Sequence, residues 1–408
     1  MPAVFAFLIF IAVSKISFPL SAHQIVVAKD GSGDFISITY ALQSLPMFNY
    51  QRIEIFIKNG IYVEKLRIDQ DYITLRGESR EKTVIQYYQP RENWMRKKDS
   101  IGPAVVNIFA DDIILADLTI ENIQPDINTH AFAVYGTGTR VIIAGCNILS
   151  RGGDTVALWS YKSGMYYHSD CYFKGAVDFI CPRGWCYIKN SNFYEVKKSA
   201  SIWHAGGFDM HQKLVIENSS FDGVENFQLG RHHYEAQFFL ISCKFTNNMA
   251  DHPIYRVTYS DTSLNRPFNW GERYYFYNCS REGENFSWFK NNLSEAEAAE
   301  ISALWTFDGK WDPESGKGPE LFNYKIENND LILFFREIIT VMDNPVIKSE
   351  SGKTFFYHSG GGSSTIRFVC DSSFAKNDIT GLKIINFGKL IGTIASVDER
   401  EAVLNFIQ

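Results

Sequence analysis

Six short apolar segments in the middle of the chain close on one repeated phrase, and their spacing limits the fold more than any other feature. Leu118-Thr119-Ile120, Cys146-Asn147-Ile148, Cys171-Tyr172-Phe173, Ser191-Asn192-Phe193, Ser219-Ser220-Phe221 and Cys243-Lys244-Phe245 end at intervals of 28, 25, 20, 28 and 24 residues. A period of that size is one coil of a solenoid. Leucine-rich repeats share the period, but their Leu-x-x-Leu-x-Leu phrase is absent from these segments. The units are β-branched and aromatic (VIIAGCNI, LVIENSSF, FFLISCKF), broken by Gly, Asn, Asp and Ser. Such units are short strands joined by tight turns. Stacked coil on coil they make a parallel β-helix with Phe, Ile and Cys ladders inside. The 32 Phe, 21 Tyr and 8 Trp are thereby assigned mostly to the core.

The rest of the 408 residues divide around this repeat. Val4 to Val13 is a ten-residue apolar run followed by Leu20-Ser21-Ala22. It is too short for a bilayer core, which needs ~20 residues, and fits a signal peptide over 1–22. The other apolar runs are shorter than a membrane span, so the expected protein has no membrane span and is a secreted or periplasmic monomer. The sequence predicts a helical cap over 35–45, after Asp30-Gly31-Ser32-Gly33. The β-helix should occupy 23–316. Beyond Glu314-Ser315-Gly316 the pattern changes to alternating strands (DLILFFREIITV, STIRFVC, GLKIINF) with frequent turn signals. Residues 317–408 are therefore expected to be a small Ig-like β-sandwich with an accessory role.

Charge and cysteine usage narrow the function classes. Forty Lys plus Arg against 46 Asp plus Glu gives a net charge of −6, which argues against a broadly basic nucleic-acid surface. The seven cysteines have neither CxxC nor Cys/His metal spacing, so no metal is expected. A Cys181–Cys186 bridge is left open.

One constellation could do chemistry. Residues one coil apart lie ~4.8 Å apart along a β-solenoid axis. Asp154 and Asp178 are 24 residues apart, His130 lies 24 before Asp154, and Arg231 lies 53, or about two coils, after Asp178. Two neighbouring carboxylates cannot both ionise easily, so one keeps a proton and can act as an acid. The other, steadied by an arginine fork, can act as a nucleophile or base. An Asn/Asp ladder on an exposed coil edge would give the same spacing.

The wording around these residues carries more information. Gly175-Ala176-Val177-Asp178-Phe179-Ile180 resembles the GxVDFIFG signature of pectin methylesterases. In order along the chain, Val27 to Gly33 resembles the family's opening and Gly60-Ile61-Tyr62-Val63-Glu64 its GxYxE. Asp154-Thr155 matches the end of its QDT segment, and Leu229-Gly230-Arg231 the start of LGRPW. The resemblance covers residues 26–313 and implies a right-handed parallel β-helix acting on methyl-esterified pectin or galacturonan oligosaccharide without a cofactor. It implies Asp178 as nucleophile, Asp154 as acid and base, and Arg231 as the holder of Asp178. Phe179, Trp203, His204 and His233 are the expected sugar contacts. The chain has no GxSxG elbow of a serine esterase.

The departures matter equally. The family's two glutamines are replaced by His130 and Gly153, and the tryptophan of LGRPW by His233. An oxyanion donor is worth ~3 kcal/mol, about a hundredfold in rate. His130 is therefore expected to supply the missing donor and His233 the missing sugar contact. The alternative is a catalytically impaired pectin-binding protein on the same scaffold. A polygalacturonase or pectate lyase is a third reading, disfavoured by the wording around Asp178. Trp159 and Trp185 are further stacking candidates. The basic run Arg96-Lys97-Lys98 and the Asp111-Asp112 pair are weaker ones.

Overall fold

The computed structural model describes residues 25–48 and 52–314, most of 321–391, and short strands at 396–397 and 403–404. The expected signal peptide and the expected boundary at 316–317 lie outside the described residues.

The chain winds into a parallel β-helix with three faces. One face is a ten-stranded sheet running from Ile25–Val27 to Tyr274–Tyr277, and the second is nine-stranded, from Gly60–Val63 to Ser280–Arg281. The third face comes in two runs. Leu66–Ile68, Val106–Ile108, Val134–Gly136 and Val156–Leu158 form the first, and Ala200–Trp203, Gln228–His232 and Tyr255–Arg256 the second. Between them the coil carrying Asp178 contributes isolated bridges, Val156 to Ile180, Ile180 to Ile202 and Arg183 to Ala205. The interruption marks the site.

The repeat becomes a physical ladder. Ile120, Ile148, Phe173, Phe193, Phe221 and Phe245 pair in register through successive coils. Their rings stack at 5.5, 4.3 and 5.1 Å for the last three steps, inside a continuous buried core. The sharp corner before each of these six strands, and before the next strand Ser280–Arg281, is also repeated. Asp117, Gly145, Asp170, Asn190, Asn218, Ser242 and Asn278 all take positive φ there. Gly, Asn and Asp enter that region most easily, which is why they break the strands in the sequence.

The N-terminal end is capped by the helix Ile38–Gln43, inside the expected span. The GxYxE motif has a structural role here. Glu64 accepts hydrogen bonds from the Ile38 and Thr39 N–H groups at 3.1 and 2.8 Å, satisfying the first turn of the capping helix.

The described strands between 321 and 404 form an antiparallel β-sheet domain at the place expected for the Ig-like β-sandwich. Its organising element is the long strand Asp330–Met342, which pairs with Leu321–Glu327, Ser363–Cys370 and Lys389–Ile391. A register shift between Phe334 and Ile339 lets this one strand serve both halves of the sheet path. Leu331, Leu333, Phe355, Ile366 and Phe368 form its separate core.

Candidate active site

The site grows from the gap in the third face. Asp154 and Asp178 open equivalent rungs, because the Val156–Ile180 bridge sets the two coils in register. Both adopt positive φ, 57° and 56°, a conformation that costs energy for most residues but that Asp tolerates. Backbone bonds fix them: the Asp154 N–H donates to Val177 O at 3.2 Å and the Asp178 N–H to Ala200 O at 2.7 Å.

Arg231, on the strand Gln228–His232, reaches back to close the arrangement. Its Nε and Nη2 donate to Asp178 Oδ1 and Oδ2 at 2.9 and 2.8 Å, a two-pronged pair that fixes the carboxylate plane. Burial raises the Asp178 pKa and the guanidinium opposes it. Asp154 has no such fork. Burial, then repulsion from Asp178, pushes its pKa up to about 7. Of the two, Asp178 is the anion and Asp154 the proton holder. Beneath them Glu195 is fully buried and pushed up to about 9, mainly by burial, so it stays neutral and adds no competing charge near pH 7.

His130 sits beside Asp154, with Nε2 3.8 Å from Asp154 Oδ2 and Nδ1 3.8 Å from Glu92 Oε1. Burial and the nearby Arg91 lower its pKa, which favours the neutral imidazole. Gly153 pairs with His130 across the rung. A Cβ at Gly153 would lie 2.9 Å from Val177 Cγ1 and 3.1 Å from the His130 ring. Val177 and the imidazole together therefore crowd the space that a side chain at 153 would need.

Asp154, Asp178, Arg231, His130, His233 and Trp203 all line one open groove of about 510 Å³. His233 is locked in place, accepting the Trp203 indole N–H on Nδ1 at 2.9 Å, and its pKa is lowered to about 4 by burial. Two expected sugar contacts are corrected. Phe179 is wholly buried and packs against Phe193, inside the bend that follows the strand Tyr172–Ala176 and that leaves Asp178 on the groove. His204 is also wholly buried, and both ring nitrogens are used inside the wall, Nε2 with Gly184 O at 2.8 Å and Nδ1 accepting from Gln237 N at 3.2 Å.

The weaker candidates separate in the same way. Trp159 lines the groove, whereas Trp185 bonds Asp308 in an outer apolar cluster. Arg140 pairs with both Asp111 and Asp112, giving that acidic pair a structural role. Lys97 and Lys98 are exposed. Cys181 and Cys186 are free, buried thiols, so no bridge joins them. Among the described residues no cluster of His, Cys, Asp or Glu has metal-binding form. No described helix is long and apolar enough to cross a membrane.

Sequence reasoning missed Arg91, Arg183, Tyr234 and Tyr259, which also line the groove. One signal was available: the GxVDFIFG resemblance breaks at Cys181-Pro182, immediately before Arg183.

A parallel β-helix with paired acids in a flank groove defines the class of protein. The chain belongs to the pectinesterase family, whose family model matches residues 24–228. It is 30% identical over 169 residues to pectinesterase 31 of Arabidopsis thaliana, covering 39% of this chain and 52% of that protein. The chain spans about half the length of the curated relatives it matches. Among solved structures, the pectin methylesterase of Erwinia chrysanthemi superposes with a TM-score of 0.57 at 26% identity, covering 71% of this chain and 98% of that one. A pectin methylesterase solved in complex with a hexasaccharide gives 0.58 at 25% identity, with the same coverage.

Proposed function

We propose that the protein is an exported carboxylic ester hydrolase that removes methyl esters from galacturonate residues of pectin. The observation that carries this reading is the unequal acid pair: Asp178 held as an anion by the Arg231 fork, next to Asp154 with its pKa near 7. Family membership and the oligosaccharide held by a structural relative support it.

In this mechanism the Asp178 carboxylate attacks the ester carbonyl carbon and forms a tetrahedral oxyanion. Asp154 gives its proton to the methoxy oxygen as that C–O bond breaks, and methanol leaves an acyl-enzyme behind. Asp154, now ionised, takes a proton from water while the water oxygen attacks the acyl carbon, and Asp178 departs as a carboxylate. Neutral His130 donates an N–H to the oxyanion in place of the family's glutamines, worth about a hundredfold in rate. His233 and Trp203 meet the sugar. No step needs a metal or organic cofactor.

The test is methanol release from methyl-esterified pectin by wild type and Asp178→Ala. Release that requires Asp178 supports the reading, and equal release from both proteins defeats it. A second reading, a catalytically impaired pectin-binding protein, is favoured by Gly153, which puts no donor side chain where the family has glutamine. Binding of pectin by wild type without methanol release would select it.

A further inference from the structure

The groove contains two guanidinium groups that the proposed mechanism does not use. Arg91 and Arg183 line it, and among the described residues neither has a carboxylate within the 4.0 Å of an ion pair. Arg231 is matched by Asp178. With Asp154 protonated and the two groove histidines neutral, two positive charges are left uncompensated.

Arg183 is the more constrained of the pair. Its guanidinium carbon lies 4.0 Å from the Trp159 ring centre, 4.3 Å from Tyr161 and 5.4 Å from Trp203. The backbone is fixed as well, with the Arg183 N–H donating to Leu158 O at 2.9 Å and a bridge to Ala205. The cage is itself locked. The Trp159 indole N–H donates to Cys181 O at 3.0 Å and that of Trp203 to His233 at 2.9 Å, so neither ring is free to turn away. Arg183 Nε is buried without a partner, which leaves the terminal nitrogens as the donors a ligand can reach. Burial lowers the Arg183 pKa to about 10, still leaving it charged at neutral pH.

A preorganised, partly desolvated guanidinium without a counter-charge is complementary to a planar anion. The esterified unit under attack is neutral and cannot supply one. A free uronate carboxylate elsewhere in the same sugar chain can. We propose that Arg183 is a specificity residue that binds a free galacturonate carboxylate near the ester under attack, so that the groove selects partly de-esterified pectin over the fully esterified polymer. This inference rests on the pectin reading of the site and names the substrate state within it.

Two measurements test it. In the first, fully de-esterified oligogalacturonate is titrated into Asp178→Ala protein with and without Arg183→Gln, by calorimetry. Arg183→Gln should weaken binding about tenfold, and more at low salt than at high salt, as expected for a charge-assisted contact. Arg183→Lys, which keeps the charge but loses the planar fork, should fall between. In the second, KM and kcat for methanol release are compared on partly and fully methyl-esterified pectin. The wild type should prefer the partly esterified substrate, and Arg183→Gln should erase that preference through KM. Thermal melting confirms that each variant is folded, and Arg183→Lys carries the test if the glutamine variant is not. Unchanged oligogalacturonate affinity, or an equal loss in kcat on both pectins, overturns the proposal. Arg183-dependent binding in a wild type that releases no methanol would sustain it while removing the esterase reading.

Discussion

The β-helix and the antiparallel domain behind it are both built from strands, yet they use charge in opposite ways. At the β-helix site, carboxyl groups are gathered on adjacent coils and held largely out of water, so their pKa values move up (Asp154 to about 7, Glu195 to about 9). In the antiparallel domain Glu327 and Asp378 sit in water. Neighbouring donors lower their pKa values: the Lys325 ammonium for Glu327, and the Ala375 N–H for Asp378. The difference comes from pairing. A parallel coil repeats one position at every turn, so a side chain meets its counterpart from the next coil at strand spacing. The antiparallel strands pair at no fixed sequence interval, and among the described residues no comparable ladder of acids arises.

Substitutions can break this contrast, beginning with the largest effect. Asp178→Ala should lower methanol release about 10⁶-fold, the scale seen when a nucleophile acting within a unit is lost. Asp330→Asn, which removes the Arg367 partner at 3.3 Å in the antiparallel domain, should leave release unchanged. A steady-state methanol assay of the two variants checks this. If Asp330→Asn matched Asp178→Ala, the chemistry would not be confined to the β-helix.

Core truncations come next. Phe193→Ala in the ring ladder and Phe368→Ala in the second core should each cost ~3–5 kcal/mol in their own domain. Denaturant unfolding followed together with methanol release separates them. Phe193→Ala should lose activity at lower denaturant, because its ladder supports the Asp178 coil through Phe179. Phe368→Ala should keep it.

His130→Ala should reduce kcat about a hundredfold, the value of one oxyanion donor. Gly153→Gln alone should not improve the enzyme, since the new side chain meets Val177 and the His130 ring. The double change His130→Gln with Gly153→Gln removes the ring but leaves Val177 in place, so it should recover only part of the rate. Recovery by Gly153→Gln alone would show that the two positions are independent.

The pH response is the smallest effect and the sharpest comparison. Asp154 must be protonated for methanol to leave, so kcat should fall as pH rises through about 7. Its raised pKa also has a stability consequence. The contribution is fully present below the ordinary carboxylate pKa of 3.8 and is lost as pH rises toward 7. Asp154→Asn should flatten that decline in β-helix melting temperature. Glu327, with its pKa lowered, has the opposite sign: its contribution is present above the ordinary value of 4.5 and lost on acidification. Glu327→Gln should therefore lower stability at neutral pH and make no difference at acid pH. Melting curves of both variants between pH 4 and 8 would show whether the two regions respond in opposite directions.

Much of this was legible in the chain itself. The 20- to 28-residue spacing set the coil, the closing Phe and Ile residues set the ladder, and the 24-residue interval placed Asp154 beside Asp178. These are properties of a repeating backbone, where sequence distance converts directly into spatial distance. Tertiary structure alone decided which neighbours face the groove. Phe179 and His204 are adjacent in sequence to Asp178 and Trp203, yet the packing of the wall buries both. Arg183 entered the site for the converse reason. A long side chain goes where surrounding rings hold it, and Trp159, Tyr161 and Trp203 come together only after the coils have stacked.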